Sequence, residues 1–452
     1  MESVNPTTGA VLERYEEHDD AEVDRRLQAG WDRWEGWRGT GYDERADLLR
    51  AVADTLEART DELAELMVRE MGKPVTSARS EVEKCAWACR YYADHGEEHL
   101  QHDVIETDAR TSYVRFDPLG PLLAIMPWNF PFWQLFRAAA PSLMAGNTVV
   151  LKHASNVPGC ALEIERVFTD SGAPEGLFTT LLVGSSAIGD VIGDDRIRAV
   201  TLTGSVGAGR KVASQAGEAL KKFVLELGGS DAFLVLDDAD VDAAAATGVK
   251  SRLINNGESC IAAKRFIVVD AVADAFVETF RKELEAVTIG DPMDDGTDVG
   301  PLARGDLRDD LHDQVRRTVD EGATLVTGGE ALDRDGWFYA PTLLDGVTAG
   351  MTAATEETFG PAAAVIRVAD EDEAVRVAND SEFGLGASIW TEDRDRGERV
   401  AARIEAGCVF VNELVKSDPR VPFGGVKSSG IGRELGSYGI KEFTNVKTVW
   451  VE

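Results

Sequence analysis

Between Thr148 and Leu236 short apolar runs alternate with stretches of helical spacing, and no other feature restricts the fold so sharply. The runs "TVVLKH", "FTTLLVG", "AVTLTGS" and "KFVLEL" are strand candidates; "ALEIERVFTDSG" and "AGRKVASQAGEALK" lie between them as helices. Strands separated by helices imply parallel pairing, because a parallel neighbour is reached only through a crossover connection. A second alternating region follows, with "RFIVVD", "ATLVTGG", "AAAVIRV" and "GCVFVNE" as strands. Ahead of both, from Ala21 to about Leu100, "AEVDRRLQAGWDRWEGW", "DERADLLRAVADTLEARTDELAELMVREM" and "SEVEKCAWACRYYADHGEEHL" carry apolar residues at helical spacing. "TSYVRFDPLGPLLAIMPW" then turns to strand-like alternation. The chain closes on a β-rich tail, "KEFTNVKTVWVE", which is most useful paired with another subunit's sheet.

At 452 residues the chain is too long for one simple core, so two domains or more are expected. Its 80 acidic residues outnumber 47 Lys and Arg, for a formal net charge of -33. Such a surface repels nucleic acid and anionic membranes, so neither is expected as a partner. It suits a cytoplasm of very high salt, where screening removes the self-repulsion. The N-terminus has no basic or apolar signal region. The most apolar stretch, "PLLAIMPWNFPFWQLF", is interrupted by Pro127, Asn129 and Pro131 and is too short to span a bilayer. The five cysteines are scattered, and Cys85 and Cys89 have no accompanying Cys or His cluster. No metal site is expected, and the pattern suits a reduced, cytoplasmic protein.

Four local patterns carry chemistry. "NNGESCIAAKRF" places Cys260 between a polar turn and an apolar segment; alone, it is as well explained as a buried small hydrophobe. "LELGGS" puts Glu226 among apolar residues, costly unless the carboxylate is paired or functional. In "PWNFP", Asn129 stands between Trp128 and Phe130, where an aimed amide donor explains it better than a surface residue. "TLTGSVGAGRKV" opens a strand into a helix through Gly204 and Ser205, where bare backbone amides can hold a pyrophosphate, although the spacing is not G-x-G-x-x-G. A thiol, a carboxylate base, an amide donor and a phosphate cradle together suit oxidation of an aldehyde through a thioester.

Over essentially its whole length the chain resembles the aldehyde dehydrogenase superfamily. The motifs are "PWNFP", "TGSVGAG", "LELGGS", "NNGESC", "EETFGP", "NDSEFGL" and "PFGGVKSSGIGRE", in family order, with Cys260 thirty-four residues after Glu226. The resemblance implies an α/β fold: a Rossmann-like cofactor domain (1–100 with 119–228), an α/β catalytic domain (229–437), and oligomerisation strands (101–118 with 438–452) of a homodimer or homotetramer. It implies Cys260 as nucleophile, Glu226 as base and Asn129 as oxyanion donor. NAD or NADP is the expected cofactor, held by Trp128, Lys152, Ser155, Gly189, Gly204, Ser205, Glu357 and Phe359. Ser155 stands where strict NAD enzymes generally have Glu, so both cofactors are expected, and His153 is a candidate further donor.

Ser230-Asp231 after "ELGG", and "LKHASN" without the usual proline after the lysine, resemble the shorter succinate-semialdehyde dehydrogenases. For that substrate the resemblance implies Arg137 as carboxylate binder, with Arg252 and Ser417 as weaker partners. The second arginine of the better-known subgroup is Ile254 here, and Arg252 is considered its substitute. Glu258 replaces the usual glutamine and would, if ionised, oppose thiolate formation. Glutarate semialdehyde, an aliphatic aldehyde or betaine aldehyde remain alternative substrates. A CoA-acylating relative is disfavoured by Glu226, and a non-catalytic structural relative by the intact Cys260, Glu226 and Asn129.

Overall fold

The strand Val149–His153 is buried at every position, as are Leu122–Met126 and Ala199–Thr203. Runs apolar on both faces can only lie in the middle of a covered, parallel sheet. The computed structural model describes residues 1–452 and contains two such sheets. In the first the strands run in the order Gly430–Ile431, Lys222–Glu226, Ala199–Thr203, Leu122–Met126, Val149–His153, Phe178–Thr180. All neighbours are parallel except the first pair. The second has the order Thr324–Thr327, Thr342–Asp345, Ala362–Val368, Arg265–Val269, Ala232–Val235, Gly386–Trp390, Cys408–Val411. It is parallel apart from its Thr324–Thr327 edge.

All eight strands read from the two alternating regions are present. Ala232–Val235, Thr342–Asp345 and Gly386–Trp390 are additional. These are four or five residues long, and "GASIW" opens on small residues with no strand preference of their own. The helical pattern across 43–71 is broken at Arg59, whose backbone leaves the helical region (φ -111, ψ 16), giving Tyr42–Ala58 and Thr60–Met71. Arg59 stays half-buried at this corner, its guanidinium on Glu62 and Glu163.

Three features position the site. Helix Trp133–Ala145 is buried on every side, as an all-round apolar sequence demands, and it carries Arg137 into the interior. The chain returns from the second sheet to lay Gly430–Ile431 antiparallel to Lys222–Glu226, with Gly430 opposite Glu226. That return brings Glu434 to the end of the strand that bears Glu226. The terminal strand Thr444–Val451 pairs within the chain with Thr111–Pro118, in a three-stranded sheet completed by Asp103–Val104. No helix is long and apolar enough to cross a membrane.

Candidate active site

Helix Val241–Leu253 ends in a turn where Asn255, Asn256 and Gly257 take φ values of 55°, 59° and 79°. Left-handed backbone costs a non-glycine residue about 1–2 kcal/mol, and asparagine tolerates it best. Here the side chains lock it. Asn255 Nδ2 donates to the carbonyls of Asn129 (2.8 Å) and Glu258 (3.2 Å). Asn256 Nδ2 donates to Gly72 and Pro301 carbonyls, and its Oδ1 accepts from Gly300 N–H. A Cβ at Gly257 would stand 2.4 Å from the Gly360 carbonyl carbon, so position 257 has no room for one.

The next carbonyls are each held by a fixed donor. Gly257 O accepts from Arg252 Nη2 (2.6 Å) and Glu258 O from Asn129 Nδ2 (3.0 Å). Ser259 O and Cys260 O accept from Lys264 Nζ at 2.9 and 3.0 Å. With its carbonyls turned inward, the loop leaves the Cys260 N–H without a backbone acceptor, free to donate to a ligand. Cys260 is half-buried and lines a cavity of about 680 Å³. Burial pushes its thiol up to about 12, against the pull of Arg137 and Lys264.

Glu226 ends its strand 2% exposed, and neither carboxylate oxygen has a hydrogen-bond partner. Burial first, then the neighbouring Glu434, holds its carboxyl well above the usual range, while Arg137 and Arg433 oppose this. Glu434 Oε2 lies 2.8 Å from Arg137 Nε. The Arg137 guanidinium also sits 4.8 Å over the Phe423 ring, and its buried Nη2 has no partner. Arg137, Ser417 and Cys260 line the same cavity. Ser417 Oγ accepts from Trp133 Nε1 and from Lys84 Nζ, both at 3.0 Å.

Two expectations need correction, those for Arg252 and His153, and the structure adds to what was expected of Glu258. Arg252 is fully buried and absent from the cavity wall, its guanidinium turned to Gly257 O; it supports the turn before Cys260 and does not face the cavity. Glu258 points away from the cavity. Its Oε1 accepts from Ala303 N–H (3.0 Å), and burial raises its carboxyl well above the usual range, which favours the uncharged form and weakens any opposition to a thiolate. His153 faces neither solvent nor the ribose side: its Nε2–H donates to Pro131 O, Nδ1 accepts from Ala154 N–H, and burial lowers it to about 4. Asp231, two residues after the Gly-Gly of "LELGG", accepts from Gly386 N–H through Oδ1.

On the other side of the first sheet's carboxyl edge, Lys152 ends its strand buried and without an ion pair, three residues before the exposed Ser155. Gly204 and Ser205 precede helix Val206–Glu218, and Ser205 caps it by accepting from Ala208 N–H. Gly189 lies against the Gln215 side-chain amide, which a Cβ there would displace. Nearer Cys260, Glu357 Oε1 accepts from Gly229 N–H (2.9 Å) and lies 3.7 Å from Lys264 Nζ. The rings of Phe359 and Trp128 meet edge to face at 5.8 Å. A free ammonium beside an uncharged serine, with open amides at a helix start, fits a phosphate-bearing dinucleotide. No group of three His, Cys, Asp or Glu that could hold a metal is present.

Sequence reasoning missed Lys84, Lys264 and Glu434. Glu434 carried a signal, an acid closing the glycine-rich "PFGGVKSSGIGRE"; Lys84 lies in an ordinary helical pattern and carried none.

Residues 1–449 match the family model described as the aldehyde dehydrogenase family. The chain belongs to the aldehyde dehydrogenase family. It is 50% identical over 449 residues to the probable succinate-semialdehyde dehydrogenase (NADP(+)) of Synechocystis sp., covering 99% of each chain. With the succinate semialdehyde dehydrogenase (NAD(P)+) of Escherichia coli it shares 47% over 448 residues, covering 99% of this chain and 97% of the other. Among solved structures, succinic semialdehyde dehydrogenase from Streptococcus pyogenes in complex with NADP+ superposes with a TM-score of 0.98. Identity there is 40%, covering 100% of this chain and 99% of that one.

Proposed function

We propose that this aldehyde dehydrogenase oxidises succinate semialdehyde to succinate through a thioester on Cys260. The observation that carries this reading is Arg137, which lines the cavity that also holds Cys260 and Ser417 and whose buried Nη2 has no partner. A buried guanidinium donor without an acceptor calls for an anionic ligand, and a planar fork suits a carboxylate. A carboxylate bound there leaves the aldehyde end of a short semialdehyde directed toward the thiol.

In this mechanism the Cys260 thiol gives its proton to solvent in the cavity, and the thiolate attacks the carbonyl carbon. The second Nδ2 hydrogen of Asn129 and the Cys260 N–H stabilise the oxyanion, a contribution of about 3 kcal/mol for one such donor. NADP(+) or NAD(+), when bound, supplies the hydride acceptor. Lys152 and Ser155 would hold its adenine-side ribose, Gly189, Gly204 and Ser205 would border its pyrophosphate, and Trp128, Glu357 and Phe359 would orient its nicotinamide end. Glu226 then takes a proton from water, whose oxygen adds to the thioester carbon; the C–S bond breaks, and acid and free thiol result.

Cytoplasmic work at high salt is proposed on the net charge of -33, and assembly as a homodimer or homotetramer on the exposed Val104, Ile105, Val446 and Trp450 of the three-stranded sheet. The function is tested with an aldehyde panel at high salt. Succinate semialdehyde is expected to exceed butanal, glutarate semialdehyde and betaine aldehyde in kcat/KM. A preference for an uncharged or cationic aldehyde would overturn the substrate, though not the chemistry.

A further inference from the structure

The cavity wall carries lysines that the mechanism above does not use: Lys250, Lys416, which pairs with Glu413, and Lys84, the one bonded to Ser417. Lys84, on helix Val75–His99, lines it together with Arg137, Trp133 and Ser417, and its side chain is half-buried. Its aliphatic stem needs no explanation beyond packing: the ammonium lies 4.5 Å over the Trp133 ring. The charge does need one, because Lys84 has no salt bridge. The two acids nearest enough to influence it are engaged elsewhere. Glu81 pairs with the buried Lys73 and accepts from the N–H groups of Phe132 and Trp133. Asp418 pairs with Arg420 at 2.6 Å.

An ammonium has three donors, and Lys84 spends one on Ser417 Oγ at 3.0 Å. Ser417 Oγ already accepts a second bond from Trp133 Nε1, so both its lone pairs are committed and its own hydrogen is left to donate. Lys84, Ser417 and Arg137 therefore offer only donors to the space between them. Two cations facing one cavity repel each other unless an anion lies there.

We propose that Lys84 is a specificity-determining residue, whose ammonium group joins Arg137 and the Ser417 hydroxyl in binding the distal carboxylate of a short semialdehyde. The inference rests on the substrate reading above and adds to it the source of the second cation. Ile254 cannot supply that charge and Arg252 faces away; Lys84 brings it from helix Val75–His99, where its bond to Ser417 sets it on the Arg137 side of the cavity.

The test uses the full chain as Lys84→Met, which keeps the stem and removes the charge, and Lys84→Arg, which keeps the charge. Lys84→Met should lower kcat/KM for succinate semialdehyde at least tenfold, about 1.4 kcal/mol, chiefly through KM. The effect on butanal should be much smaller, and succinate should weaken as a competitive inhibitor by a similar factor. Lys84→Arg should recover most of the loss. Equal losses on both aldehydes, or an unchanged KM for the semialdehyde, would assign Lys84 to packing on Trp133 and overturn the proposal. The wild-type enzyme separates the two readings. If it does not favour succinate semialdehyde over butanal, the substrate reading and this inference both fall. If it does, and Lys84→Met keeps the preference, only the role of Lys84 is refuted.

Discussion

Arg137 Nε lies 2.8 Å from Glu434 Oε2 with both side chains 2% exposed, so the guanidinium that faces the cavity also neutralises a buried acid. Glu226 feels both partners: Glu434 raises its carboxyl and Arg137 lowers it. The cation is thus shared among Glu434, Glu226 and the proposed substrate carboxylate, and the balance sets when Glu226 is ionised enough to act as a base.

Glu226→Gln should separate the two halves of the reaction. Without a base the thioester persists, so a single-turnover burst of reduced cofactor is expected, followed by slow or no turnover. Stopped-flow absorbance reads this directly. Normal steady-state turnover in the variant would rule Glu226 out as the deacylating base.

Glu434→Gln should move the pH dependence of that second half. A raised pKa means Glu226 is protonated at low pH and becomes a base only as pH rises through it. Removing the Glu434 charge takes away repulsion and frees Arg137 to act more strongly on Glu226; both effects lower the pKa. The rising limb of acyl-enzyme hydrolysis should therefore shift to lower pH. A shift to higher pH, or none, would mean that Glu434 does not ionise beside Glu226.

Arg252→Met should cost stability without changing substrate choice. The substitution removes the donor to Gly257 O in a turn whose three consecutive residues are left-handed, and an orphaned buried carbonyl costs about 1–3 kcal/mol. Chemical denaturation should show a loss of that size, and kcat/KM should fall by a common factor for succinate semialdehyde and butanal. A selective loss on the semialdehyde would return Arg252 to the substrate.

That reversal for Arg252 marks where the sequence stops being legible. Strands such as Leu122–Met126 announce themselves because burial on both faces leaves an unbroken apolar run. The turn before Cys260 is legible for a related reason: left-handed backbone at 255–257 favours Asn, Asn and Gly, and these are local in the chain. Arg252 was misjudged because spacing along a helix says nothing of which way a buried side chain turns. Lys84 and Ser417 are 333 residues apart, and Arg137 meets Glu434 only because Gly430–Ile431 crosses back to the first sheet. Such relationships are products of topology, and no local pattern encodes them.

Salt should stabilise the protein. Most of its ion pairs have an exposed partner and contribute little each, about 0–1 kcal/mol, whereas a net charge of -33 repels itself throughout the surface. Raising KCl from about 0.1 M, where the screening length is about 10 Å, to about 1 M, where it is about 3 Å, removes the longer-range repulsion. The unfolding midpoint should rise across that interval. A falling midpoint would mean that the surface pairs outweigh the self-repulsion and would remove the argument for a high-salt cytoplasm.

The cofactor pocket yields the last prediction. Lys152 is buried at its strand end with no ion pair, and burial lowers its pKa from the usual lysine range. Ser155, three residues on, is exposed and uncharged, so nothing there repels a 2′-phosphate. Since His153 is committed to Pro131 O, it is not a third donor, and Lys152 is left as the cation for that phosphate. Ser155→Glu would set a carboxylate near Lys152, satisfying the ammonium internally and repelling the phosphate; its oxygens can still accept from ribose hydroxyls. NADP activity should fall at least tenfold, about 1.4 kcal/mol, with a smaller change for NAD. Lys152→Met should weaken NADP more than NAD for the same electrostatic reason. Steady-state kinetics with each cofactor decide the matter: a wild type inactive with NADP, or a Ser155→Glu variant that keeps its NADP activity, would show that this edge of the sheet does not read the phosphate.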